Sequence, residues 1–253
     1  MTPRITLAVA ARVLRQLRRD HRTLAMLLVL PCLILSLLWW MFEGEAARGR
    51  GFDRLGPPLL ALIPFTVMFL VTSVTTLRER SSGTLERLLA MPTGKGDFLG
   101  GYALAFAAVA TVQSVLAVLL STLVLGLTVS GPVWVLVVVA VADAVLGTAL
   151  GLLVSAFART EFQAVQFMPA LVIPQILLCG LFLPRAAMPR TLEAVSDVLP
   201  LSYAVDAMAA VAAATAGTLD GVDAAVWGDL LVVVAFAVGC LGLGAATLRR
   251  RTP

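Results

Sequence analysis

The sequence predicts an all-α polytopic membrane protein with six transmembrane helices, from its composition, its long apolar runs and the placement of its basic residues. Of the 253 residues, 60% are hydrophobic and only 13% are charged, whereas about 25% of a soluble domain is charged. Apolar runs of about 20 residues, enough to cross a bilayer as a helix, recur along the chain. The runs are continuous rather than alternating, which argues against a transmembrane β-barrel.

The predicted spans occupy most of the chain. The first apolar run follows a basic segment, as in a signal peptide, but it is about 19 residues long and lacks a convincing small-x-small cleavage site, so we interpret it as a retained first span. The six spans are Thr23–Phe42, Pro57–Leu77, Phe98–Leu127, Val133–Ala158, Ala164–Pro184 and Val226–Leu248.

The lysines and arginines indicate the orientation, because basic residues concentrate on cytoplasmic loops. With six spans both termini lie on one side, and that side collects Arg18, Arg78, Arg159 and the arginines of the C-terminal tail. All four tryptophans then fall near the outer ends of spans, where an aromatic belt is expected. We therefore expect cytoplasmic N- and C-termini. This bias explains the net charge of +4 without nucleic acid as a partner.

Residues 1–22 predict an amphipathic helix. At about 100° per residue, Leu7 and Val13 share one arc of the helix and Arg12 and Arg15 share the opposite arc. Such a helix suits the inner membrane surface. Two roles remain open for it: anchoring with topology signalling, and a mechanical role in a complex.

The segment 185–225, between spans five and six, predicts short helices that enter the outer leaflet and return. It is too apolar for a solvated loop, and Pro189 and Pro200 interrupt it, so it is not one full span. Irregular backbone at that depth requires surrounding protein.

The loop 78–97, between spans two and three, predicts a cytoplasmic helix of about two turns, too short to be stable alone. Gly83 breaks the preceding helix, Thr84 is a candidate N-cap, and Pro92 and Gly94 stop the new helix. Its apolar face carries Leu85, Leu88 and Leu89, and its polar face carries Glu86 and Arg87. A groove in a partner protein and the membrane surface both suit such a face.

Two stretches resemble the signatures of type-2 ABC transporter permeases. The first, RERSSGTLERLLAMPTGKGDFLGG, contains the Gly-Thr-x-Glu-x-Leu-Leu pattern of that family, followed by a small residue and a proline. The second, GLFLPRAAMPRTLEAVSDVLPLSYAVDAM, contains Met-Pro and then Pro-Leu-x-Tyr. The span count, the basic amphipathic start and the chain length also match. The resemblance therefore covers essentially the whole chain, and it is strongest to type V-like bacterial exporters for drugs and antibiotics.

The resemblance implies a single permease domain over residues 1–253 that forms half of a transmembrane dimer. Residues 1–22 would be the connecting helix, and the loop 78–97 would carry the coupling helix that docks into an ATPase. Closure of the ATPases would then squeeze substrate outward between two permeases. The coupling residues implied are Glu79, Gly83, Thr84, Leu85, Glu86, Arg87, Leu88, Leu89 and Pro92.

The sequence lacks the Gly-x-x-x-x-Gly-Lys-Ser/Thr phosphate-binding motif. We therefore expect no cofactor in this chain, with ATP and Mg²⁺ bound by a separate ABC ATPase subunit in two copies. A second permease copy (identical or related), membrane lipids and a hydrophobic drug, antibiotic or lipid are the other expected partners, in the inner membrane of a bacterium. With one histidine and no cluster of catalytic residues, we expect neither catalysis nor a metal site.

Asp143 is an acid inside span four, where an ionised carboxylate is costly. Gly147 and Gly151 follow it at a spacing of four, which favours close helix packing, so we expect Asp143 to face protein rather than lipid. Its role stays open between a proton or cation site and an acid that bonds a neighbouring hydroxyl or lies near the outer interface.

Spans two and five supply the candidate substrate contacts Phe65, Met68 and Gln175, since the resemblance places these spans along the dimer pathway. Pro169 and Pro174 kink or loosen span five, which suits either a moving gate or ordinary packing. Two alternatives to a drug exporter remain. One is a lipid-linked polysaccharide exporter, disfavoured because only 7% of residues are aromatic. The other is a proton-coupled transporter that uses Asp143.

Overall fold

The structure is a computed structural model that describes residues 3–42, 50–81, 94–214 and 223–247. Helices account for nearly all of these residues, and no strand occurs among them. A short π-helical stretch, Leu120–Val124, extends the fourth helix, and a single 3₁₀ turn lies at Arg185–Ala187. The α-helices are α1 Pro3–Arg19, α2 His21–Met41, α3 Arg50–Ser81, α4 Lys95–Leu119, α5 Val133–Phe157, α6 Glu161–Leu178, α7 Arg190–Ser196, α8 Pro200–Ala212 and α9 Ala224–Thr247.

Six helices in the described ranges are long and apolar enough to cross a membrane, which confirms the predicted number of spans. They are α2, α3, α4 with its π-helical extension, α5, α6 and α9. Two boundaries differ from the prediction by six residues, and the others by three or fewer. The second span begins at Gly51, because Pro57 and Pro58 lie inside α3 instead of starting it. The fifth ends at Leu178, because Gly180 adopts a φ of +93°, which an α-helix cannot contain.

Helices α3 and α5 form the centre of the bundle. In α5, 67% of the most apolar stretch is buried, whereas the value is 17% in both α2 and α6. Glycines allow the two central helices to touch: a Cβ atom on Gly147 would lie 2.4 Å from the carbonyl oxygen of Phe65, and one on Gly151 would lie 2.6 Å from that of Phe69. The predicted small-residue stripe is therefore a site of close contact between α3 and α5.

Helix α1 packs against α4 rather than presenting its whole apolar arc to the membrane. Val9 and Val13 are buried, and a Cβ on Gly101 of α4 would lie 2.6 Å from the Val9 side chain. Leu7 and Leu14 remain exposed. Part of the apolar arc that was expected to face the membrane therefore faces α4 instead. Gly101 has no side chain, so α1 can approach α4 closely.

Asp20 separates α1 from α2. Its carboxylate accepts hydrogen bonds from the Thr23 amide at 3.2 Å and the Thr23 hydroxyl at 2.6 Å. These bonds lower the pKa of Asp20 and satisfy a donor that the start of α2 would otherwise leave free. The junction between the two helices is therefore fixed by a local cap.

Helices α7 and α8 form a pair bent by 90° within the segment 185–225, and we term this pair the re-entrant hairpin after the predicted insertion into the outer leaflet, which stays a prediction. Pro189 immediately precedes α7 and Pro200 begins α8, positions at which the missing amide hydrogen costs no helical hydrogen bond. The hairpin is fastened to the loop before α5: the amides of Ser130 and Gly131 donate to the carbonyls of Ala212 and Val211 at 3.1 and 3.0 Å. The C-terminal end of α8 is therefore capped by another part of the chain.

Candidate coupling and transport sites

Three elements converge at the end of the bundle that carries α1. Arg12 Nη2 of α1 lies 3.5 Å from Glu79 Oε2 of α3. Arg78, the preceding residue, donates two hydrogen bonds of 3.0 Å to Glu161 at the start of α6. Because Arg78 and Glu161 are well exposed, this pair contributes about 1 kcal/mol at most. Its main consequence is geometric: the final turn of α3 is tied to both α1 and α6.

The candidate coupling residues divide at residue 82. Glu79 is described, and its side chain is nearly buried against α1. The other candidates lie in 82–93, outside the described residues, and their roles stay predictions. They are Gly83, Thr84, Leu85, Glu86, Arg87, Leu88, Leu89 and Pro92.

The candidate substrate contacts all lie within the protein. Phe65 and Met68 of α3 are fully buried, and the Phe65 carbonyl forms the contact with Gly147. Gln175 of α6 is also buried; its amide nitrogen donates to the Leu171 carbonyl at 3.1 Å, and its oxygen accepts from the Leu201 amide at 3.4 Å. Gln175 therefore joins α6 to the re-entrant hairpin. Contact of these side chains with a substrate remains a prediction.

Asp143 is completely buried in α5, as expected of a residue that faces protein. Neither carboxylate oxygen has a hydrogen-bond partner among the described residues. One alternative, a bond to a neighbouring hydroxyl, is therefore absent from this part of the chain. The hydroxyl of the buried Ser114 in α4 donates to the carbonyl of Ala140, three residues before Asp143, at 3.1 Å. A buried carboxyl without a partner is costly, which singles out Asp143 for experiment.

An ionic cluster at the other end of the bundle, which we term the Arg185 cluster, was not found by sequence reasoning. The Arg185 guanidinium donates to the carboxylates of Asp197 and Asp206 and lies 5.1 Å from the centre of the Tyr203 ring. The Tyr203 hydroxyl donates to the Asp197 carbonyl at 2.7 Å. The cluster therefore joins the turn before α7 to both helices of the hairpin. The sequence contained one indication of this cluster: all four residues lie within the second family signature, GLFLPRAAMPRTLEAVSDVLPLSYAVDAM.

A pair of serines makes a second connection beside the Arg185 cluster. The Ser196 hydroxyl donates to the Leu178 carbonyl at 2.7 Å and lies 3.0 Å from the Ser202 hydroxyl. Both serines are fully buried. The end of α6 is thus held directly to the bend of the hairpin, so movement of one requires movement of the other.

The architecture of six candidate spans, with a bent pair of short helices before the last, accompanies a family match that covers most of the chain. Residues 5–212 match the ABC-2 type transporter family. The chain belongs to this family. Its members are the membrane-spanning permease components of ABC transporters, so the helices described above form an ABC-2 type permease domain.

Relatives of this ABC-2 permease occur in bacteria and in a eukaryote. It is 26% identical over 196 residues to the probable multidrug ABC transporter permease YbhS of Escherichia coli, covering 77% of this chain and 51% of that protein. It is 25% identical over 191 residues to the linearmycin resistance permease protein LnrN of Bacillus subtilis, covering 73% of this chain and 48% of that protein. ABC transporter G family member 20 of Dictyostelium discoideum is 26% identical over 161 residues, which cover 64% of this chain and 22% of that protein. This ABC-2 permease thus spans about half or less of the length of these relatives.

Proposed function

We propose that this chain is the permease subunit of an ATP-driven exporter that moves hydrophobic compounds, such as drugs, antibiotics or lipids, out of a bacterial cell. The family match over residues 5–212 carries the proposal, and the names of YbhS, a probable multidrug permease, and LnrN, a linearmycin resistance permease, support the cargo class. ATP and Mg²⁺ bind a separate ATPase subunit in this proposal. The charge distribution supports cytoplasmic termini and a location in the inner membrane.

The contacts of α3 support a route for coupling. The proposed ATPase contact, the loop 78–97, begins where α3 ends. At that point α3 is joined to α1 by Arg12 and to α6 by Glu161. A force applied to the loop therefore reaches α6 without passing through the tightly packed contact between α3 and α5. Since α6 is lightly buried and contains Pro169 and Pro174, it is the span best suited to move.

The lightly buried spans support pairing with a second permease copy. Only 17% of the apolar stretch is buried in α2 and in α6, and both present large apolar side chains outward. In a bilayer these faces contact lipid or another helix. We propose that part of this surface contacts the second copy, and that the hydrophobic substrate passes between the two.

The decisive experiment is a pull-down of the tagged permease from its native membrane, with Leu88→Asp and Leu89→Asp variants in parallel. A charged group on an apolar docking face removes buried area and adds a desolvation cost, so we expect at least a tenfold loss of the co-purified ATPase. Partners are identified by mass spectrometry and ATP hydrolysis is assayed in the eluate.

The matched control is Leu192→Asp, a change of an exposed leucine on α7 at the opposite end of the bundle. It should leave ATPase recovery unchanged. If no ATPase is recovered, or if transport survives the Leu88 and Leu89 substitutions, the proposal of an ATPase-coupled permease is wrong.

The complete burial of Asp143, without a hydrogen-bond partner among the described residues, favours a second candidate, a proton-coupled transporter. Asp143→Asn distinguishes the two candidate functions, because asparagine has nearly the shape of aspartate but cannot bind and release a proton. For the ATP-driven exporter we expect efflux within about twofold of wild type, measured with a fluorescent hydrophobic compound in cells. Loss of efflux in the variant, together with sensitivity of the wild type to collapse of the pH gradient, would favour the proton-coupled function.

A further inference from the structure

A cavity of about 300 Å³ lies between α1, α2, α3 and α4 at the end of the bundle that carries the basic residues. Its volume is at the lower limit of small-molecule sites. The charged residues that line it are Arg12, Asp20, Arg78 and Glu79, and Phe106 contributes an apolar part of the lining. Neither the family match nor the proposed coupling assigns a ligand to it.

The lining carries charges of both signs. Arg12 and Arg78 contribute two guanidinium groups, and Asp20 and Glu79 contribute two carboxylates. Ligands with a single charge would meet like charges on part of the wall, which is unfavourable at such short range. The lining is therefore suited to a zwitterion, in which a negative and a positive group lie a few ångströms apart.

Arg12 shows where the negative group would bind. Its side chain is 32% exposed and lines the cavity, and its Nη2 atom lies 3.5 Å from Glu79 Oε2, at the outer limit of a hydrogen bond. A guanidinium has five N–H donors, and a phosphate oxygen is a favourable acceptor for them. The cavity is thus lined by a guanidinium that its carboxylate partner engages only at long distance.

Asp20 shows where the positive group would bind. Its carboxylate is exposed and accepts hydrogen bonds from Thr23, which leaves lone pairs for an additional donor. A primary ammonium supplies up to three such donors, whereas a quaternary ammonium supplies none. The chemistry of this wall therefore favours a primary amine.

The position of the cavity points to a lipid as the source of the zwitterion. Asp20 and Thr23 lie at the start of the α2 span and Thr75 lies near the end of the α3 span, so the cavity is level with the headgroups of one leaflet. Because only 17% of the apolar stretch of α2 is buried, acyl chains have room beside it.

We propose that this cavity binds the phosphoethanolamine headgroup of a membrane phospholipid, with the phosphate on the Arg12 guanidinium and the ammonium on Asp20. A bound headgroup would connect α1, α2 and α3, the elements that meet where the proposed ATPase contact begins. The proposal goes beyond the transport function, and its test does not depend on transport or on an ATPase.

The first test uses the full chain in nanodiscs that contain a phosphatidylethanolamine with a photoreactive diazirine near its headgroup. We expect labelled peptides that contain residues 12–23 and 75–79. Unlabelled phosphatidylethanolamine should compete about tenfold better than phosphatidylglycerol, a difference of about 1.4 kcal/mol. Phosphatidylcholine should compete less well than phosphatidylethanolamine, since its ammonium has no hydrogen to donate.

Substitutions then assign the two groups. Arg12→Gln should weaken labelling about tenfold, whereas Arg15→Gln, an exposed arginine on the same helix, should leave it unchanged. Asp20→Asn keeps a residue type that caps helices well, so folding should persist, but it should reduce the preference over phosphatidylglycerol. Near-ultraviolet circular dichroism and size-exclusion profiles monitor the fold.

Three results would overturn the proposal: labelling mapped to other regions, equal competition by all headgroups, or equal effects of Arg12→Gln and Arg15→Gln. A cross-link between residues 82–93 and the cavity that phosphatidylethanolamine does not prevent would also overturn it, by showing that the chain itself fills the space. If Arg12→Gln does not fold, the label map and headgroup competition in the wild type decide the question.

Discussion

Gly147→Leu is expected to destabilise the permease by about 3 kcal/mol, the upper part of the usual range for overpacking. Even a Cβ atom at this position would lie 2.4 Å from the Phe65 carbonyl oxygen, and the neighbouring atoms are backbone, which cannot rotate away. The larger side chain must therefore push α3 from α5. The measurement is thermal unfolding in detergent, where we expect a midpoint about 10 °C below that of the wild type.

The matched control is Gly239→Leu, because a Cβ atom there meets nothing within 4 Å on the exposed face of α9. The same chemical change should shift stability by no more than about 0.5 kcal/mol. Gly147→Ala should fall between the two leucine variants. Equal midpoints for Gly147→Leu and Gly239→Leu would show that α3 and α5 do not pack through this glycine.

Arg185→Ala is expected to loosen the re-entrant hairpin and cost about 2 kcal/mol. The arginine side chain is 17% exposed, but its partners Asp197 and Asp206 are 55% and 41% exposed, so the value lies between those for surface and buried ion pairs. The variant also loses the contact with the Tyr203 ring, which contributes about 0.5 to 1 kcal/mol at an exposed site. Limited proteolysis of residues 185–214, with thermal unfolding, measures the effect.

Arg190→Ala controls for the loss of one positive charge at the same end of the bundle, since Arg190 is exposed on α7. It should leave the protease sensitivity of the hairpin unchanged. Arg185→Lys should restore part of the lost stability, because lysine keeps the charge but cannot bridge two carboxylates in one plane. Equal protease sensitivity in Arg185→Ala and Arg190→Ala would contradict a structural role for the Arg185 cluster.

The number of spans and the break between α7 and α8 were predictable because each depends on residues close together in the chain. A span is a continuous apolar run of sufficient length, and the hairpin is an apolar segment broken by Pro189 and Pro200. Gly147 and Gly151 likewise form a local pattern. The family also followed from two local signatures, and the match over residues 5–212 confirms it.

Contacts between distant residues were not predictable in the same way. Arg12 and Glu79 lie 67 positions apart, and the amphipathic pattern of α1 alone does not distinguish a membrane surface from α4. Whether Asp143 has a hydrogen-bond partner depends on the side chains of several helices at once, and in the described part of the chain it has none. For the candidate site, the sequence identifies which polar residues lie at membrane depth. Only the folded chain shows which of them have hydrogen-bond partners.

The contact between α3 and α5 also constrains how the protein is made. Gly147 is synthesised about 80 residues after its contact Phe65, which at ribosomal speeds corresponds to about 4 to 16 s. During that interval the buried polar side chain of Thr72 in α3 lacks α5, whose Gly151 later lies against it. The nascent second span must therefore remain beside the translocation machinery, or in a provisional pairing, until the fourth span emerges.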